Sequence, residues 1–321
     1  MNAPTTTHPP TANDSGEPTA RLPCPAPADF RAAVADYDAR CQVATWNGPR
    51  HRMTYRVLGD GPPLLMVPGI ASTYRGYCLT LNLLSERFKT VIHDYPGEHP
   101  GDGASLGKIS HDDLVDDVFG LIDHLNLGRV FLVGLSFGTT IVLKSLAREP
   151  RRFPKAAIQG AFARRRFTPA ERLALSLGRH VPGTTSRLPF REPILAYNNR
   201  QHFPEIIDDR WRFYVEQNGL TPIAPLAHRL GLVARLDLRP ILPTIPTEVL
   251  ALQGNEDRIV GRSHFDEVCA GLPRATGVIM PMVGHQPHYT HPEGLARAIG
   301  DWFLPCAPGG CPSEQGASTP P

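Results

Sequence analysis

Three residues of this 321-residue chain, Ser136, Asp257 and His285, are of types that together can break an acyl bond. A serine hydroxyl is a weak nucleophile unless a base takes its proton during attack. An imidazole, with an intrinsic pKa of about 6.5, does this near neutral pH. A carboxylate bonded to the other ring nitrogen sets the tautomer and stabilises the imidazolium that forms. Ser136 is the centre of Gly134-Leu-Ser-Phe-Gly138. Glycine at 134 and 138 removes side chains that would collide across a strained turn. The serine Oγ is then held out, and the Phe137 N–H points from a helix N-terminus to where an oxyanion would form.

The chemistry requires elements that bring the three residues to one edge. Val130 to Val133 reads as a buried strand, and Thr139 to Ala147 has helical spacing, so Ser136 sits at a strand-turn-helix apex. Glu248 to Leu252 and Gly277 to Met280 are two further buried strands. Asp257 follows the first, in Gln253-Gly-Asn-Glu-Asp257, and His285 follows the second, in Pro281-Met-Val-Gly-His285. All three loops lie at strand carboxyl ends. Earlier strands read as Cys41 to Trp46, His51 to Leu58, Leu64 to Val67 and Thr90 to Asp94, the first two joined at the hairpin signal Asn47-Gly-Pro49. Lys155 to Gln159 follows the serine helix. Helices are expected over Asp29 to Arg40, Gly76 to Phe88 and Ser110 to Leu125. Strands alternating with helices predict an α/β fold, a mostly parallel sheet wound on both faces.

From Phe162 to Pro246 the pattern turns helical and rich in Arg, Leu and Pro, with no clear strand. This segment is expected to lie as a helical cap over the sheet's carboxyl edge. The expected organisation is a core of 29–161 and 247–304, a cap of 162–246, and disordered ends at 1–28 and 305–321. Hydrophobic residues are 41 % of the chain, enough for a core, and the net charge of +2 offers no case for nucleic acid as a general partner. No run of about 18 apolar residues predicts a membrane span. The first residues lack a secretory pattern, and the six cysteines are scattered, so reduced thiols in a cytoplasm are expected. Oligomeric state has no signature here.

Rival assignments exist for several residues. Glu256 competes with Asp257, whose position after Gly254 favours it. His288 and His291 follow His285 at three-residue steps, which makes a metal site the rival reading, although no carboxylate or cysteine joins them in sequence. Asp94 reads as a loop hydrogen-bonder, and Trp211, Phe213 and Tyr214 as the cap's own core. Arg164-Arg-Arg166 reads as a solvated basic helix start, with a grip on an anionic substrate as the alternative.

Four motifs, in this order and each at a strand end, resemble the α/β-hydrolase superfamily: Pro68-Gly-Ile70, Gly134-Leu-Ser-Phe-Gly138, Gly254-Asn-Glu-Asp257, and Gly284-His285 followed by His291-Pro-Glu293. The resemblance spans about residues 41 to 303. It implies a serine hydrolase with Ser136 as nucleophile, His285 as base, Asp257 as its orienting acid, and the N–H groups of Ile70 and Phe137 as oxyanion donors. It implies no cofactor and no metal, and a small-molecule acyl substrate such as an ester or lactone. Acyl transfer, perhydrolysis and C–C hydrolysis use the same triad, and silent members of the superfamily, such as maspardin-like proteins, only bind partners. Where this family often has His-Gly and Asp-x-Arg-Gly, this chain has Pro68-Gly69 and Asp94-Tyr-Pro-Gly97.

Overall fold

The computed structural model describes residues 29–203 and 208–304, so both termini expected to be disordered lie outside the described residues. One sheet holds eight strands: β1 (Gln42–Asn47), β2 (Arg52–Leu58), β3 (Pro63–Val67), β4 (Lys89–His93), β5 (Phe131–Leu135), β6 (Lys155–Gln159), β7 (Glu248–Gly254) and β8 (Ala275–Met280). Their order is β1-β2-β4-β3-β5-β6-β7-β8. β1 and β2 form the expected hairpin, and β2 lies antiparallel to β4. Every other pairing is parallel.

The helices are α1 (Phe30–Arg40), α2 (Cys78–Ser85), α3 (His111–His124), α4 (Phe137–Arg148), α5 (Pro169–Gly178), α6 (Arg191–Asn199), α7 (Asp208–Gly219), α8 (Ile223–Val233), α9 (Arg262–Gly271), α10 (Pro287–Thr290) and α11 (Pro292–Phe303). They cover both faces of the sheet because side chains alternate along each strand. Leu65, Val67 and Leu132 pack with α3, α4 and α9, while Leu64, Met66, Val133 and Leu135 pack with α1, α2 and α11. The central strands therefore read as unbroken apolar runs.

α3 illustrates how local sequence sets an element. Ser110 caps its first turn in a reciprocal box with Asp113, and Leu114, Val118, Leu121 and Ile122 form the stripe that is buried. Replacing Ser110 by alanine would cost about 1 kcal/mol. α2 is shorter than the helix expected from Gly76 to Phe88. The chain tightens into a 3-10 turn over Tyr74–Tyr77, where the Tyr77 hydroxyl turns back to the Gly69 N–H at 2.8 Å.

Between β6 and β7 the described residues contain α5 to α8 and no strand, only the isolated bridges Arg164–Asp237 and Thr184–Pro222. α5 packs on α8, and α7 packs on α1. Phe213 and Tyr214 of α7 are buried among Phe30, Phe203 and Tyr289. No helix among the described residues is long and apolar enough to cross a membrane.

Candidate active site

Ser136 lies between β5 and α4 with φ at +50° and ψ at −113°, a sparsely populated conformation that costs a non-glycine residue about 1–3 kcal/mol. Tight packing holds it there. A Cβ on Gly138 would stand 2.1 Å from the Val67 carbonyl oxygen, and one on Gly134 would stand 2.9 Å from Thr139 Cα. The Ser136 N–H donates to the Gln159 carbonyl at 2.8 Å, and its own carbonyl accepts from the Thr139 hydroxyl at 2.6 Å.

His285 Nε2 is 2.9 Å from Ser136 Oγ, and His285 Nδ1 is 2.6 Å from Asp257 Oδ2. The three residues singled out in the sequence thus meet at one edge. The other oxygen of Asp257 accepts the N–H groups of Ile259 and Val260, each at 2.8 Å. Burial alone would push the Asp257 carboxyl up, but His285 and those two N–H groups outweigh it and hold it below the ordinary carboxylate value. The acid and histidine loops are laced together: the Asn255 N–H reaches the Met280 carbonyl at 3.0 Å, and the Glu256 N–H reaches the Val283 carbonyl at 3.1 Å.

The rival residues go elsewhere. The Glu256 carboxylate faces His202 at 3.6 Å. His291 bonds the Thr290 hydroxyl. His288 is buried and stacks on Tyr77 with ring centres 4.5 Å apart. Burial pushes it down to about 3, so it is a neutral packing group. Among the described residues no group of three or more His, Cys, Asp or Glu could hold a metal ion. Asp94 bonds Arg56 at 2.9 Å and His99 at 2.8 Å.

Ile70 and Phe137 border the same cavity as Ser136, and neither backbone N–H has an acceptor among the described residues. The loop carrying Ile70 is held from both sides by residues that the sequence did not single out. Tyr77 accepts the Gly69 N–H, and Tyr95 donates to the Pro68 carbonyl at 2.7 Å. Burial pushes the Tyr77 phenol up to about 12, which keeps it protonated. Behind Tyr95 sits Arg229 of α8, 5.1 Å from the ring centre, and it pairs with Glu98 at 3.0 Å. A cation from a distant helix therefore supports the loop that lacks the arginine of Asp-x-Arg-Gly.

The cavity has a volume of about 410 Å³. Phe162, Phe167, Leu175, Leu230, Val233 and Val260 give it apolar walls, with Arg165 and Glu171 as the charged residues on its lining. Leu175 belongs to α5 and Leu230 to α8, so the helical segment contributes to the wall of the serine's cavity.

The family model described as "Alpha/beta hydrolase family" matches residues 64–298. The chain is 26 % identical over 260 residues to a 2-(acetamidomethylene)succinate hydrolase from Mesorhizobium japonicum, covering 78 % of this chain and 91 % of that one. It is 25 % identical over 256 residues to a pimeloyl-(acyl-carrier protein) methyl ester esterase from Xanthomonas campestris pv. campestris, covering 76 % and 95 %. A hydrolase from Pseudomonas aeruginosa superposes with a TM-score of 0.70 at 20 % identity, over 82 % of this chain and 98 % of the other. The sheet order, the strand-end loops and the length of the family match agree: the chain belongs to the alpha/beta hydrolase family and is a hydrolase of that fold.

Proposed function

We propose that this protein hydrolyses an ester, lactone or related acyl substrate through an acyl-enzyme on Ser136. The observation that carries the reading is the continuous line from Asp257 to His285 to Ser136, at 2.6 and 2.9 Å, opening into an apolar cavity. His285 Nε2 takes the hydroxyl proton as Ser136 Oγ bonds the acyl carbon, and Asp257 stabilises the imidazolium. The N–H groups of Ile70 and Phe137 receive the negative charge that forms on the carbonyl oxygen, a donor each worth about 3 kcal/mol of barrier. His285 returns the proton to the leaving oxygen as the C–O bond breaks. A water, deprotonated by the same imidazole, then releases the acid and restores Ser136.

The names of two of the curated relatives, one a hydrolase and one a methyl ester esterase, support an acyl substrate for this site. The test is labelling by a fluorophosphonate probe, with hydrolysis of short p-nitrophenyl esters alongside. Ser136→Ala is expected to abolish labelling and lower kcat by at least about 10⁴-fold. Persisting hydrolysis in that variant, or no labelling of the wild type at Ser136, would falsify the reading. Added alcohols or peroxide as competing acceptors separate hydrolysis from acyl transfer by the product formed.

A further inference from the structure

A second depression, with a volume of about 500 Å³, adjoins the catalytic cavity and shares Arg165 and Ile259 with it. Arg164, Arg165, Arg166 and Arg239 line it, with His264 and Glu267 of α9. The arginines of the basic run thus form one wall of a concavity next to the serine's cavity. Their partners neutralise them only in part. Asp237 bonds Arg239 at 2.5 Å and stands 4.0 Å from Arg164. Arg165 spends one N–H on the Ile259 carbonyl at 3.2 Å, and Arg166 has no ion pair or hydrogen bond among the described residues. Four guanidinium groups stand with three carboxylates, Asp237 and Glu267 beside Arg239 and Glu171 beside Arg165, so the cluster keeps a net positive charge.

We propose that this depression binds the anionic end of the substrate, a carboxylate or phosphate remote from the bond that is cleaved. Guanidinium forks match such oxyanions in pairs of parallel hydrogen bonds. A concave wall with a net positive charge also raises the local concentration of an anionic substrate. Arg165 marks the passage between the two chambers, because the Ile259 whose carbonyl it holds also donates its N–H to Asp257. The substrate then lies with its reacting carbonyl over Ser136, its apolar stretch against Phe162 and Leu230, and its charge on the arginine wall. This orientation rests on Ser136 being the nucleophile; the anion site does not.

Two measurements test it. The first compares p-nitrophenyl hemiesters of dicarboxylic acids with the same compounds capped as methyl esters. The free carboxylate is expected to raise kcat/KM by about tenfold in the wild type, and rising salt to erase the difference. Arg164→Gln with Arg166→Gln is expected to bring the ratio near one, each protein serving as its own reference. Arg166→Glu alone serves should the double variant misfold. The second titrates Ser136→Ala calorimetrically with a dicarboxylate and with inorganic phosphate. Binding of either supports the site, the tighter of the two identifying the group it takes. A wild-type ratio near one, a ratio that survives the arginine changes, or no heat with either anion overturns the proposal. Loss of probe labelling with anion binding intact would remove only the nucleophile assignment.

Discussion

Gly160 offers a direct test of how closely the imidazole is seated. It follows β6 with φ at +64°, and a Cβ built there lies 2.9 Å from His285 Cε1 and 3.3 Å from Nδ1. Carbon atoms at rest stand about 3.5–4.0 Å apart, so Gly160→Ala asks the ring to retreat by roughly 0.6 Å. The ring is held at 2.6 Å by Asp257 and 2.9 Å by Ser136. A retreat of that size directed away from Ser136 stretches the serine bond to at most about 3.5 Å, near the limit at which a hydrogen bond ceases. Misplacement by about 1 Å costs on the order of 100-fold, so kcat is expected to fall about 10- to 100-fold, or roughly 1.4–2.7 kcal/mol, with KM little changed. Stability also falls by about 1–2 kcal/mol, because alanine resists the left-handed conformation. Gly128 supplies the control: its φ is also +64°, and nothing lies within 4 Å of its missing Cβ. Gly128→Ala should lose similar stability and keep its kcat. Thermal melts and p-nitrophenyl butyrate kinetics on both variants decide the matter. A Gly160→Ala protein that is folded and within twofold of wild-type kcat refutes the reasoning, as does an equal kcat loss in Gly128→Ala.

Other consequences follow from the ion pairs around the site. Arg229 is only 2 % exposed, so Glu98→Gln leaves a buried cation without its partner and is expected to cost about 3–5 kcal/mol in urea unfolding. Adding Arg229→Met to that variant should recover part of the loss. Burial would push the Asp94 carboxyl up, but its bonds to His99 and Arg56 win and hold it below the ordinary value. A depressed carboxyl contributes stability that is present above its unfolded pKa of about 3.9 and is lost as pH falls through the folded value. Asp94→Asn should therefore flatten the acid limb of a stability–pH profile below about pH 4, and an unchanged limb would assign acid unfolding to other groups.

Much of the fold was legible because its signals are local. The apolar runs of β3 and β5, the hairpin at Asn47-Gly48-Pro49 and the cap at Ser110 each depend on neighbours within a few residues. The elbow at Ser136 was legible for the same reason, since Gly134 and Gly138 flank the turn that strains it. The α2 region was less so. Its 3-10 start answers to the Tyr77–Gly69 contact, which no helical periodicity encodes.

The sequence by itself determined the order of the strands along the chain, the identity of the strand-end loops and the short set of residues able to do acyl chemistry. Alternation and turn chemistry act over a few residues, so one chain suffices to read them. Only the tertiary structure brought His285 within 2.9 Å of Ser136. It also decided that Tyr77 and Tyr95 hold the Ile70 loop, and that Arg229 is a buried support while Arg166 stands open beside the cavity. Arginines on the helical segment look alike in one dimension. Their burial and partners are set by packing between elements far apart along the chain, and that packing gives each one its charge environment.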